Sequence, residues 1–148
     1  MKFARLLSST SQTSMFKWRN TDGIFGLRDF RKADDLVPIA RRTRQHCHSL
    51  YKQCLEARSK PELLFLMDEI SNNLCSFMDL AVCIRQIHPH LHFKRVASKC
   101  LQFMQPQLQL MNTSRELYEK FQDLELDSSV TCQELKRMDR SFKRDFEM

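Results

Sequence analysis

The chain has 148 residues, enough for one core and too few for two, with 42% hydrophobic residues and a formal net charge of +6. Two glycines, four prolines and eight methionines, with few β-branched runs, exclude a turn-rich β architecture and predict an all-α protein. Of the 24 basic residues, Lys2, Arg5, Lys17 and Arg19 fall in residues 1–21, which contain no acid; the 20 that remain face 18 acidic residues, and a nearly neutral body argues against nucleic-acid binding, which asks for a basic stripe along the folded surface.

The basic, Ser/Thr-rich, acid-free start over residues 1–20 reads as a disordered mitochondrial transit peptide. The apolar run Phe3 to Leu7 is too short for a secretory signal, and no stretch reaches the roughly 18 apolar residues of a membrane span. In a reducing matrix the six cysteines are expected to be thiols. Residues 21–34 form a linker that contains both glycines, Gly23 and Gly26, a pair too sparse for a phosphate-binding loop.

Residues 35–148 read as antiparallel helices. The first opens near Asp35 with Pro38 in its first turn and runs to about Arg58; Val37, Ala40, Cys47, Leu50, Tyr51, Cys54 and Leu55 form its apolar stripe. The run Arg41-Arg42-Thr43-Arg44 is a solvated surface. The second is the strongest helix, with apolar residues at 63, 66, 67, 70, 74, 77, 78, 81, 84 and 87. A capping box of Ser59 and Glu62, with Pro61 in the first turn, starts it, and His88-Pro89 ends it. A third carries Leu91, Phe93, Val96, Cys100, Phe103, Met104, Leu108 and Met111, with Pro106 expected to kink or split it. Two further capping boxes, Thr113 with Glu116 and Thr131 with Glu134, open a short helix with Leu117, Tyr118, Phe121 and Leu124 and a last one with Leu135, Met138, Phe142 and Phe146. That last stripe is still in phase at Phe146, which reads as a helix interrupted, leaving apolar faces that expect further structure.

Catalytic and metal patterns are absent. The cysteines form no Cys-x-x-Cys pair, and burial on helix faces accounts for their spacing. His46-Cys47-His48 with His88, His90 and His92 does not assemble a zinc site, because ligands two apart project to different sides of a helix. No His-Glu-x-x-His, Gly-x-Ser-x-Gly or phosphate loop occurs.

Gly23-Ile-Phe-Gly26, Met67-Asp-Glu-Ile-Ser-Asn-Asn-Leu-Cys75, Asp79-Leu-Ala81, His88-Pro89 and Met111-Asn-Thr-Ser-Arg-Glu-Leu-Tyr118, in this order, resemble the N-terminal part of the mitochondrial intermediate peptidases, zinc metallopeptidases of the thimet oligopeptidase family. The resemblance runs from about Gly23 to Met148. It implies the N-terminal helical part of a larger, two-lobed helical enzyme that trims N-terminal peptides from imported precursor proteins in the mitochondrial matrix. The family's zinc ligands and general base belong to a His-Glu-x-x-His motif and a downstream glutamate, so no catalytic, cofactor-binding or metal residue carries over to this sequence. Asp68, Glu69, Asp79 and Arg85 read as packing and surface charges. The expectation is a truncated, inactive peptidase region whose exposed faces pack on the catalytic part. The competing classes are a non-catalytic helical interaction module and, less favoured by the neutral body and by the lack of clustered aromatic and basic residues, an RNA-binding protein.

Overall fold

The computed structural model describes residues 23, 24, 27, 29–125 and 133–147, the last three by backbone alone. The leader, Gly26, Thr131 with its capping box, Cys132 and the side chain of Phe146 lie outside the described residues. The rest is helical, as the composition predicts: α1 (Leu36–Glu56), α2 (Lys60–Ile87), α3 (Leu91–Thr113), α4 (Arg115–Asp123) and α5 (Gln133–Glu147).

Helix α2 forms where its pattern places it. Ser59 Oγ accepts from the Glu62 amide at 3.4 Å, and Pro61 occupies a first-turn position whose missing N–H costs nothing. The reciprocal bond of the expected capping box shifts by one residue: the Glu62 carboxylate accepts from the Arg58 amide, at 3.0 Å, instead of Ser59's. At the far end His88 is extended ahead of Pro89, as the proline demands. Leu63, Met67, Ile70, Leu74, Phe77, Ala81 and Ile84 are buried as expected, and Leu64 joins them. Leu66 and Met78 are half-buried, and Ile87 is 65% exposed. Burying each large side chain of this stripe contributes about 1.5–3 kcal/mol.

Contacts across the bundle fix its topology. His46 of α1 lies 3.4 Å from Glu69 of α2, each about equally far from the turn that joins the two helices, so they run antiparallel. Asp34 meets His92, Arg44 meets the Phe103 carbonyl and Tyr51 meets Ser114, pairs 58, 59 and 63 residues apart, so α3 returns parallel to α1. All three pack on one another around the α2 stripe. Leu27, Phe30 and Ala33, from the stretch expected to link the leader to the helices, are buried in the same core. There Phe30 meets Phe93 edge-on, with centroids 6.0 Å apart. The Asp35 carboxylate accepts from the Arg31 and Lys32 amides at 3.0 and 2.9 Å, which closes the turn into α1 and holds its pKa below the ordinary carboxylate value.

Two local expectations are corrected. Of the two outcomes expected at Pro106, a kink or a split, the split does not occur, because α3 runs through it; packing of Val96, Ala97, Cys100, Leu101 and Met104 outweighs the one lost backbone bond. The cap of α4 is Ser114, whose hydroxyl accepts from the Leu117 amide at 3.2 Å. Thr113 instead bonds back to the Gln109 carbonyl at 2.8 Å, which places it in the last turn of α3.

One buried cation ties the shorter helices to the bundle. Lys60, the first residue of α2, is only 4% exposed. Its ammonium donates to the Phe121 carbonyl at the end of α4, lies 3.3 Å from the Phe121 ring centroid, and stands 3.5 Å from Asp139 Oδ1 on α5. The other Asp139 oxygen pairs with Lys143 at 3.2 Å. Burial lowers the Lys60 pKa and Asp139 pushes it back up. Asp139→Leu should therefore destabilise the chain by about 3 kcal/mol by stranding a buried charge. The double change Lys60→Met with Asp139→Leu should restore most of that loss. Urea denaturation reads both, and a neutral single change would show that the pair carries no such constraint.

Candidate functional site

The histidines do not converge. His88 stacks on Phe93 with centroids 3.8 Å apart, and its Nδ1 accepts from the His90 amide at 3.2 Å. His92 faces Asp34, His46 faces Glu69, and His48 stacks on Tyr51. Among the described residues no three His, Cys, Asp or Glu side chains are placed to hold a metal ion. The donors present do not fit the zinc that the family resemblance implies for a whole enzyme. Of the α2 charges, Asp68 accepts from Asn72 at 3.0 Å and Glu69 pairs with His46, while Asp79 and Arg85 are exposed.

The thiols divide by burial. Cys47, Cys54 and Cys100 are buried, as their helical spacing predicts; burial raises the pKa of Cys47 to about 11 and that of Cys54 to about 12, and raises that of Cys100. Cys75 departs from the expectation and is exposed, because it falls on the α2 face opposite the stripe.

The described surface holds one feature that the sequence analysis missed. A groove of about 540 Å³ opens along the seam of α1 and α3, lined on one side by Arg41, Arg44, Gln45 and His48, and on the other by Phe103, Pro106, Gln107 and Leu110. Arg44 is fixed in it: its guanidinium lies 4.6 Å from the Phe103 ring centroid and donates to the Phe103 carbonyl at 3.3 Å. Gln107 is only 4% exposed, and its Nε2 has no hydrogen-bond partner among the described residues. No acidic residue lines the groove.

The sequence carried a signal for it that whole-chain charge hid. Helix α1 holds Arg41, Arg42, Arg44 and Lys52 against Glu56 alone, and α3 holds Lys94, Arg95 and Lys99 with no acid; α2 has Lys60 and Arg85 against Glu62, Asp68, Glu69 and Asp79. The balanced total is thus segregated by helix, and of these cations Arg41 and Arg44 line the groove. They share it with the single phenyl ring of Phe103, over which Arg44 lies.

Fold and site define a helical bundle that presents a cationic groove and whose described residues assemble no metal centre. In sequence it is similar to curated mitochondrial intermediate peptidases. It is 36% identical over 89 residues to one from Arabidopsis thaliana, covering 60% of this chain and 13% of that protein. It is 28% identical over 146 residues to one from Scheffersomyces stipitis, covering 93% and 18%, and 23% identical over 129 residues to one from Homo sapiens, covering 85% and 18%. The chain is thus related to this peptidase family and spans less than a fifth of the length of these relatives. No protein-family model matches it, and no solved structure does.

Since the thiolate is the reactive form, native chain treated with iodoacetamide at mildly alkaline pH should be alkylated at Cys75, while Cys47 and Cys54 react only after denaturation. Peptide mapping by mass spectrometry checks this, and rapid native labelling of Cys47 would contradict the burial.

Proposed function

We propose that this chain is the N-terminal helical region of a mitochondrial intermediate peptidase, a zinc metalloendopeptidase that trims N-terminal peptides from imported precursors. In this reading the bundle forms part of the wall around the substrate channel and the chemistry is done elsewhere. What carries the reading is the similarity to a peptidase across 93% of the chain. Peptide hydrolysis by this class needs a metal-activated water and a general base. The 148 residues contain no His-Glu-x-x-His, and four of the five histidines, His88, His92, His46 and His48, lie against Phe93, Asp34, Glu69 and Tyr51.

Residues 1–20 act as the transit peptide in this proposal, and the protein works in the mitochondrial matrix. The half-exposed Phe65 and the exposed Ile87 and Leu91 on α2 and α3 pack on the catalytic part, where their apolar surface leaves water. None of the described helices is long and apolar enough to cross a membrane.

The purified 148-residue chain should hydrolyse no precursor peptide and retain no stoichiometric zinc after gel filtration, and residues 1–30 fused to a fluorescent protein should enter mitochondria. Tightly held zinc that is lost on changing His90 and His92 to Ala, or cytosolic retention of the fusion, would overturn the corresponding part of the proposal.

A further inference from the structure

We infer that the seam of α1 and α3 is a docking groove for an acidic peptide segment of a partner protein. The inference stands on the groove itself and does not depend on the peptidase reading.

Three observations converge on it. The first is charge: Arg41 and Arg44 line the groove and no acid among the described residues does, while Lys94, Arg95 and Lys99 of α3 line a separate depression. The neighbouring Arg42 is already matched within the fold, by Asp29 at 3.3 Å, but Arg41 has no ion-pair partner among the described residues and projects from an exposed position on the rim. A groove walled by one sign of charge concentrates ligands of the other sign.

The second observation is preorganisation. Arg44 is clamped by the ring and the carbonyl of Phe103, so its remaining N–H groups are held in place before any ligand arrives. An arginine fork presents paired donors that match a carboxylate.

The third is the amide of Gln107. A buried, unpartnered donor destabilises a fold that could have placed leucine there. Its carboxamide can turn about its last bond to offer either a donor or an acceptor to a peptide lying in the groove.

These features favour a peptide over a nucleic acid. Non-specific RNA binding uses successive aromatic faces as stacking platforms. Of the two rings that line the groove, Phe103 is already covered by Arg44 and His48 is stacked on Tyr51. Pro106 and Leu110 give instead an apolar surface for a side chain next to the carboxylate. The ligand's acidity also distinguishes this groove from a site for transit peptides, which are rich in arginine and poor in acid.

The test is a fluorescence-anisotropy titration of the 148-residue chain with a labelled short peptide alternating glutamate and leucine. Binding should saturate and weaken as salt is raised. Arg41→Ala combined with Arg44→Ala should weaken it at least about tenfold, and Gln107→Leu should weaken it several-fold while the fold stays as stable as before, since an apolar residue of similar size removes the orphaned donor. Arg85→Ala, on the acidic helix, should change nothing. Circular dichroism confirms that each variant is folded. Absence of saturable binding, equal losses with Arg85→Ala, unchanged affinity with Gln107→Leu, or tighter binding of a single-stranded RNA would each overturn the inference.

Discussion

The structure depends on the burial of one helix face. Helix α2 carries eight apolar side chains, from Leu63 to Ile84, that are essentially removed from water, and neither α1 nor α3 alone could cover them. At about 25 cal/mol for each square ångström, covering that stripe is a large favourable contribution, and it requires a helix on each side. The order α1, α2, α3 with two short turns meets the requirement with the least chain. A consequence is that α1 and α3 lie parallel and adjacent. The groove exists because the two helices whose job is to cover α2 must also meet each other.

That constraint also explains where polar groups are tolerated. Thr43, buried in α1, gives its hydroxyl to the Ile39 carbonyl at 3.0 Å, and Asn73, buried in α2, gives its amide to the Glu69 carbonyl at 2.7 Å; each satisfies itself within its own helix. Lys60 cannot do so and is matched across three helices, which makes it a register pin for α4 and α5 rather than a source of net stability. Gln107 is the exception: among the described residues its Nε2 has neither a hydrogen bond nor an ion pair, whereas Asp139 Oδ1, also without a hydrogen bond, stands against Lys60. A buried polar atom left alone where the surrounding walls are cationic is the kind of local inconsistency that marks sites kept for binding.

Much of this was legible beforehand, and the part that was not has a physical reason. Helical periodicity placed α2 nearly to the residue because its signals agree: Ser59 caps it, Pro61 suits its first turn, Pro89 stops it and the stripe keeps one phase. The cap of α4 was misplaced by one residue because Thr113 and Ser114 both carry a hydroxyl, and only the end of α3 decides which one is free to cap. Lys60 drew no reading from the sequence, since nothing local says that α4 and α5 will close over it. The groove was hidden by averaging charge along the chain. Charge segregates in space, and which helices become neighbours is a tertiary fact that the near-balance of 20 basic and 18 acidic residues cannot express. The family resemblance, by contrast, rested on sequence blocks and was met again in the curated relatives.

The claim that everything else rests on is that α2 is the covered centre of the bundle, and amide hydrogen exchange of the 148-residue chain read by mass spectrometry tests it most directly. The account predicts that amides from Leu63 to Ile84 are the last to exchange, at the rate of global unfolding, while those of α5 exchange early. Exchange of α2 as fast as α5, with α1 or α3 protected instead, would contradict it.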